Sequence, residues 1–147
     1  MFEKILVCLD GSELAEQILP YITEQAKKFK SKVILIQAVA KPSSVISGTG
    51  PVTGPALQDQ IKAEEDKATK YLSRIATKLQ GEEIAAEYAT VEGAPGHEIV
   101  EYARENEVNL IAIATHGHSG IKRAILGSIA DYVIRESHLP MLVIKPK

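Results

Sequence analysis

The sequence predicts an α/β fold, a doubly wound open parallel five-stranded sheet with helices on both faces. Short apolar runs without polar alternation, such as Lys4–Leu9 and Lys32–Val39, are typical of strands that are buried on both faces. Amphipathic helical patterns alternate with these runs along the chain, which indicates parallel strands joined by crossover helices. The chain has 147 residues, 45% hydrophobic and 24% charged, so we expect residues 1–147 to form a single globular domain.

The first half of the chain contains two predicted strands and a long connection. Lys4–Leu9 ends at a turn, where Ser12 and the acidic residues after it mark a helix start. Pro20 interrupts the helical pattern that follows, which predicts a kink or a surface position. Lys32–Val39 is the second strand. The connection 40–55 is rich in proline and glycine, and we expect either a lid near a ligand or an inert loop.

The second half continues the alternation. Ala56–Gln80 has the pattern of a long amphipathic helix with an apolar inner stripe. Glu83–Val91 alternates polar and apolar residues, which is typical of a half-exposed strand at the edge of a sheet. A turn with glycine and proline then leads to a predicted short helix, His97–Asn106, with Ile99, Val100 and Tyr102–Ala103 facing the core. The last predicted elements are a helix over Ile121–Ser137 and a short strand, Met141–Ile144.

One connection carries the clearest functional pattern. The buried strand Leu110–Ala114 stops at the polar segment Thr115–Gly120, which contains two glycines. Glycines let a backbone approach a phosphate closely, and amides at a helix start carry partial positive charge. A strand, such a loop and a helix together predict an anion-binding cradle. Gly127 and Ser128 fall inside the predicted last helix, near its most apolar turn.

These residues resemble the nucleotide loop of the universal stress protein family, whose motif is Gly-x2-Gly-x9-Gly-Ser/Thr. Gly117, Gly127 and Ser128 match the motif, and Ala114 stands where its first glycine would be. The resemblance covers nearly the whole chain and implies the strand order 3-2-1-4-5. In that order the chain reverses between the first and fourth strands, so Asp10 and the loop after Ala114 would meet at one crevice.

The resemblance implies a site for ATP or another adenine nucleotide, with Mg bound together with the nucleotide. Gly117 would allow close backbone approach to the phosphates, and Ser128 would offer both its hydroxyl and its amide. The implied nucleotide-binding residues lie at the ends of the first, second and fourth strands, in the polar loop and around Gly127. They are Leu9, Asp10, Ala38, Ile113, Ala114, His116, Gly117, Gly127, Ser128, Ile129 and Ala130.

Asp10 is the predicted metal-associated residue. A carboxylate at the crevice edge could lie near the ribose or near the Mg of a Mg-nucleotide, since a hard cation accepts carboxylate and phosphate oxygens together. The alternative is an acid that closes a turn or starts a helix, and the neighbouring Gly11 and Ser12 fit that interpretation as well. A second metal site at His116 and His118 lacks a third ligand at suitable spacing.

Composition excludes several other classes of function. The net charge is −2 and tryptophan is absent, so neither a basic surface nor a stacking platform for nucleic acid is expected. The single cysteine, Cys8, lies inside an apolar run and is predicted to be a buried structural thiol. No apolar run approaches the ~20 residues of a membrane span, so we expect a cytoplasmic protein without a membrane partner.

Three functions remain open. The first is a cytoplasmic stress protein that binds ATP or a related adenine nucleotide as a regulatory ligand and signals through dimer and partner contacts. The second is a stress-type dimerisation or interaction domain that has lost nucleotide binding, which Ala114 favours. The third is an ATPase. Its hydrolysis of ATP would be slow, because the sequence has no Gly-x4-Gly-Lys-Ser/Thr loop and no evident group to position water.

The last strand predicts a protein partner. It is short and apolar and lies near the end of the sequence, which favours a sheet edge that can pair with a second copy. Members of the resembled family commonly dimerise through this strand. We therefore expect a two-fold homodimer through Met141, Leu142, Val143 and Ile144.

Overall fold

The computed structural model describes residues 1–39, 46–47, 50–51, 55–115 and 126–147. Most of the predicted lid in the connection 40–55 lies outside these ranges. So do His116, Gly117 and His118 of the predicted phosphate loop.

A five-stranded parallel sheet forms the centre of the molecule. The described residues contain seven strands: β1 (Lys4–Cys8), β2 (Lys32–Val39), β3 (Ile46–Ser47), β4 (Gly50–Pro51), β5 (Ala86–Glu92), β6 (Leu110–Ala114) and β7 (Met141–Ile144). The large sheet has the order β5-β2-β1-β6-β7, and β3 pairs with β4 as a separate antiparallel ribbon. Counted along the chain, the five sheet strands have the order 3-2-1-4-5, which confirms the predicted fold class.

Helices connect the sheet strands. The described helices are α1 (Glu13–Glu16), α2 (Leu19–Phe29), α3 (Pro55–Gly81), α4 (Pro95–Glu105) and α5 (Ser128–Ser137). The interruption predicted at Pro20 is a complete break between α1 and α2. Pro20 lies in the first turn of α2, where its missing N–H would have no partner inside the helix. None of the described helices has the length and apolarity needed to cross a bilayer.

Two apolar layers pack against opposite faces of the sheet. Alternate residues of β1 enter different layers, because successive side chains of a strand point to opposite faces. Ile5 and Val7 pack with buried residues of α2 and α3. Leu6 and Cys8 pack with buried residues of α4 and α5. Cys8 is buried, as predicted, and burial raises the pKa of its thiol to about 12.

The start of the edge strand differs from the prediction. We predicted a strand from Glu83, but β5 begins at Ala86. Glu83 adopts a left-handed conformation with φ of 63°, and Ile84 donates its N–H to the carbonyl of Leu79 at 3.1 Å. These residues close the end of α3 and cannot extend the sheet. The rest of β5 is half-exposed at the edge, as expected.

Tyr71 of α3 packs a polar atom against the apolar layer that contains Ile5 and Val7. Its ring packs against that layer, and its hydroxyl is buried without a hydrogen-bond partner among the described residues. Burial, and then the carboxylates of Glu16 and Asp10, raise the pKa of Tyr71 far above its ordinary value. The hydroxyl is therefore neutral at physiological pH, and its desolvation lowers the stability of the fold.

Tyr71→Phe removes this hydroxyl and keeps the ring. We expect the free energy of unfolding to stay the same or to rise by about 1 kcal/mol, because a buried unsatisfied polar group is removed. Urea denaturation measures the change. Tyr71→Ala is the control for the ring itself and should destabilise the protein by about 3 kcal/mol. A loss of more than about 1 kcal/mol in Tyr71→Phe would contradict the assignment and indicate a polar partner for the hydroxyl.

Candidate functional site

A pocket lies at the carboxyl ends of β1 and β6, where the strand order reverses. Ligands of doubly wound sheets bind at such reversal points. The pocket has a volume of about 130 Å³ and combines strand ends with helix starts. Its lining residues are Cys8, Leu9, Asp10, Ala15, Ala38, Pro95, Ile99, Ile113, Ala114, Thr115, Gly127, Ser128, Ile129 and Ala130.

The structure brings together every predicted site residue that it describes. Leu9 and Asp10 come from the end of β1, Ala38 from β2, and Ile113 and Ala114 from β6. The remaining ones, Gly127, Ser128, Ile129 and Ala130, come from the start of α5. The last two predicted residues, His116 and Gly117, lie outside the described residues.

Several lining residues were missing from the prediction. Pro95 and Ile99 enter the pocket from the first turns of α4, and Cys8 and Ala15 enter from β1 and α1. The sequence signal for α4 was the turn with glycine and proline before the helix. In an alternating α/β chain, this turn also lies at the carboxyl edge of the sheet. Ile99 was interpreted as core alone, and it belongs to both the core and the pocket wall.

The lining divides into an apolar wall and a polar end. Ala38, Pro95, Ile99 and Ile113 form the wall, which offers flat apolar contact. Among the described lining residues, Asp10 carries the only ionisable carboxylate, and none is a lysine or arginine. Among these described residues, the backbone amides and the Ser128 and Thr115 hydroxyls are the groups that can attract an anion.

Asp10 closes the turn that follows β1. Its Oδ1 accepts hydrogen bonds from the Ser12 amide at 2.9 Å and from the Ser12 hydroxyl at 2.5 Å. Ser12 Oγ in turn accepts the N–H of Ala15 at 3.1 Å and caps α1. Gly11 between them has φ of 85°, a conformation that favours glycine. The turn role that we kept as an alternative for Asp10 is therefore present in the structure.

A metal at Asp10 would need most of its ligands from elsewhere. Within the described ranges, no three His, Cys, Asp or Glu side chains gather as a metal site. Mg²⁺ is commonly held by one or two carboxylates together with substrate phosphates and water. The described residues at Asp10 thus fit a cation carried by a phosphate ligand better than one held by protein groups alone.

The start of α5 corrects the predicted helix Ile121–Ser137. Gly127 is the N-cap, in an extended conformation with φ of −60° and ψ of 153°, and the helix begins at Ser128. The reason is a close tertiary contact: an ideal Cβ on Gly127 would lie 2.1 Å from the carbonyl oxygen of Thr115. Gly127 is thus a packing glycine at the N-terminus of α5, and residues 121–125 of the predicted helix lie outside the described residues.

This boundary exposes the first amides of α5 to the pocket. The N–H groups of Ser128, Ile129 and Ala130 belong to the first turn, which has no partners within the helix. No described side chain caps this end. Since Ser128 is also exposed, its hydroxyl and the adjacent amides can bind an oxyanion at the positive end of the helix dipole.

Comparison with known proteins gives consistent matches over the chain. Residues 1–145 match the profile of the universal stress protein family. Universal stress protein MJ0531 of Methanocaldococcus jannaschii is 32% identical over 146 residues, which cover 99% of this chain and 83% of that protein. The structure of MJ0577 from the same organism superposes with a TM-score of 0.84 at 27% identity and covers 100% of this chain and 98% of that chain.

Two structures of similar fold contain adenine nucleotides. A universal stress protein from Archaeoglobus fulgidus in complex with dAMP has a TM-score of 0.67 at 23% identity, covering 99% of this chain and 100% of that chain. A universal stress protein in complex with cAMP has a TM-score of 0.64 at 21% identity, covering 98% of this chain and 97% of that chain. At these identities the likeness shows a shared fold.

The contact at Gly127 gives a stability prediction. Gly127→Ala should destabilise the protein by about 1–3 kcal/mol, because the methyl group would collide with the Thr115 carbonyl and force the backbone apart. Thermal or urea unfolding measures this change. Gly81→Ala is the matched control, since nothing lies within 4 Å of its Cβ position at the end of α3. If both substitutions have the same effect, the close contact is wrong.

Proposed function

The chain belongs to the universal stress protein family, and we propose that its pocket binds an adenine nucleotide as a regulatory ligand. The observation that carries the proposal is the convergence of two distant segments. The turn at Asp10 and the first amides of α5 line one pocket at the reversal point of the sheet. ATP with Mg is the proposed ligand, and a cyclic adenine nucleotide with a single phosphate is a variant of it. The cytoplasm is the proposed location.

The two parts of the lining suggest how the nucleotide would lie. The base would pack on the apolar wall between Ala38 and Ile99, and the ribose would lie beside Asp10. The phosphates would then reach the amides of Ser128 and its neighbours. This arrangement matches each chemical part of a nucleotide to a lining of like polarity. His116 and Gly117 are proposed to complete the phosphate loop.

Ala114 supports a competing proposal, an interaction domain without a nucleotide. It stands where the family motif has glycine, and its methyl group reduces the space at the end of β6. The pocket nevertheless remains open, with Ala114 in its lining and 9% exposed. The matching residues Gly127 and Ser128 are also kept, and for these reasons we favour binding. A slow ATPase differs from both in releasing phosphate.

A charge substitution tests nucleotide binding. Ser128→Asp places a carboxylate where the phosphates would bind, and we expect nucleotide affinity to fall by about tenfold or more through repulsion. The fold should be retained, because an acid in the first turn of a helix is favourable by about 0.3–1 kcal/mol. Titration calorimetry with Mg-ATP and with AMP measures binding to both proteins.

Thr77→Asp is the matched control, since it adds the same charge on an exposed position of α3. Its affinity should equal that of the wild-type protein. Absence of binding by the wild-type protein at millimolar Mg-ATP, with no adenine nucleotide released on denaturation, would overturn the proposal and favour the interaction domain. Phosphate release at a steady rate would favour the slow ATPase.

We also propose that β7 pairs with β7 of a second copy in a two-fold homodimer. β7 is the last strand of the sheet order, and all four of its residues are half-buried. Leu142 and Ile144 pack against one apolar layer, and Met141 and Val143 pack against the other. A second copy would continue the sheet and cover both layers at once, with the two strands antiparallel.

The direction of the β7 backbone permits a specific test of the dimer. The carbonyls of Pro140 and Ile144 accept hydrogen bonds from Ile111 of β6 and from Thr115 just after it, so the backbone groups of the even-numbered residues point toward β6. The backbone N–H of Val143, an odd-numbered residue, therefore points to the open edge of the sheet. Val143→Pro should therefore prevent pairing and give a monomer by sedimentation velocity while the fold is kept. Val143→Ala keeps the N–H and should remain dimeric, and a dimer of unchanged affinity in Val143→Pro would contradict β7 pairing.

A further inference from the structure

We propose that nucleotide binding and β7 pairing are coupled, so that a bound nucleotide tightens the dimer. The inference rests on the proposed nucleotide site and on the proposed dimer, and it adds a regulatory link between them. Two hydrogen-bonded connections run from the pocket lining, one to Ile144 at the end of β7 and one to Lys147 beyond it.

The first connection passes through the end of β6. Thr115 lines the pocket and donates its N–H to the carbonyl of Ile144 in β7 at 2.9 Å. Ala114, the residue before it, is paired in register with Ile144. The carbonyl oxygen of Thr115 packs closely against Gly127 at the start of α5. One residue thus contacts the pocket, the proposed phosphate-binding helix and the proposed dimer strand.

The second connection passes through α1. The turn at Asp10 caps this four-residue helix through Ser12, and Ala15 of the helix lines the pocket. Gln17 follows at its C-cap and pairs through its side-chain amide with the main chain of Lys147. The Lys147 N–H donates to Gln17 Oε1 at 3.0 Å, and Gln17 Nε2 donates to the Lys147 carbonyl at 3.3 Å. This pair fixes the chain just beyond β7.

These connections indicate the direction of the coupling. A nucleotide that contacts the Asp10 turn and Thr115 would order both segments, and they hold Ile144 and Lys147 in place. A pre-ordered edge loses less conformational entropy when it pairs with a second copy. Coupling between binding sites is reciprocal, so each site of the dimer should bind nucleotide more tightly than the monomer does. Because a dimer contains two such sites, the gain per site is the square root of the factor that relates the two dimer affinities.

The test measures the dimer dissociation constant by sedimentation velocity with and without saturating Mg-ATP. For the wild-type protein we expect dimer affinity to rise about fivefold or more with nucleotide. Gln17→Ala removes the hydrogen bonds to the main chain of Lys147. It leaves every predicted nucleotide contact in place. It should bind Mg-ATP as the wild-type protein does while the rise in dimer affinity becomes smaller.

Gln80→Ala is the matched control, because Gln80 also donates an exposed hydrogen bond to a main-chain carbonyl, that of Ala86 at 2.8 Å. It should keep the full rise in dimer affinity. An equal or weaker dimer with nucleotide, in protein that binds Mg-ATP by calorimetry, would overturn the coupling and leave the proposed function intact. Failure of calorimetric binding would overturn both, and full coupling in Gln17→Ala would exclude the route through Lys147.

Discussion

The approach of Gly127 to the Thr115 carbonyl is the contact on which the candidate site depends. An ideal Cβ at position 127 would lie 2.1 Å from that oxygen, so a side chain there would push the two backbones apart. The contact determines where α5 begins and hence where its first amides point. Thr115 also donates its N–H to Ile144, so the same backbone unit supports the pocket and the edge strand.

The sheet makes this contact rigid. The side chains of β1 alternate between two apolar layers, with Ile5 and Val7 in one and Leu6 and Cys8 in the other. A shift of β1 along its axis would disturb both layers, because packed interiors have few voids to absorb it. The loops at the ends of β1 and β6 are therefore held by a scaffold with little freedom. The helices α1, α4 and α5 begin beside these strand ends, which gathers their first turns around one pocket.

The sheet could be predicted from sequence because its central strands are buried on both faces. Their apolar runs, such as Lys32–Val39, have a pattern that few other elements share. The start of α5 could not be predicted in this way, since the N-cap at Gly127 is set by a tertiary contact with Thr115 that helical periodicity does not report. Glu83 was assigned to a strand because polar and apolar residues alternate there. This alternation gives no sign that Glu83 adopts a left-handed conformation at the end of α3.

The residues around the pocket show a second limit of sequence interpretation. The resemblance to the family motif indicated Gly127 and Ser128, whose chemistry is carried by the backbone and a hydroxyl. Ile99 was assigned to the core alone, because an apolar residue on a helix looks the same whether it faces another side chain or a ligand wall. For Asp10, residue type could not choose between a ligand and a turn, and its hydrogen bonds with Ser12 show that the turn role is real.

The burial of Cys8 bears on the redox chemistry that is available at the pocket. The reactive form of cysteine is the thiolate, and burial raises the pKa of this thiol to about 12, so it stays protonated at physiological pH. Cys8 is the only cysteine of the chain, so oxidants have no activated sulfur to attack within the pocket.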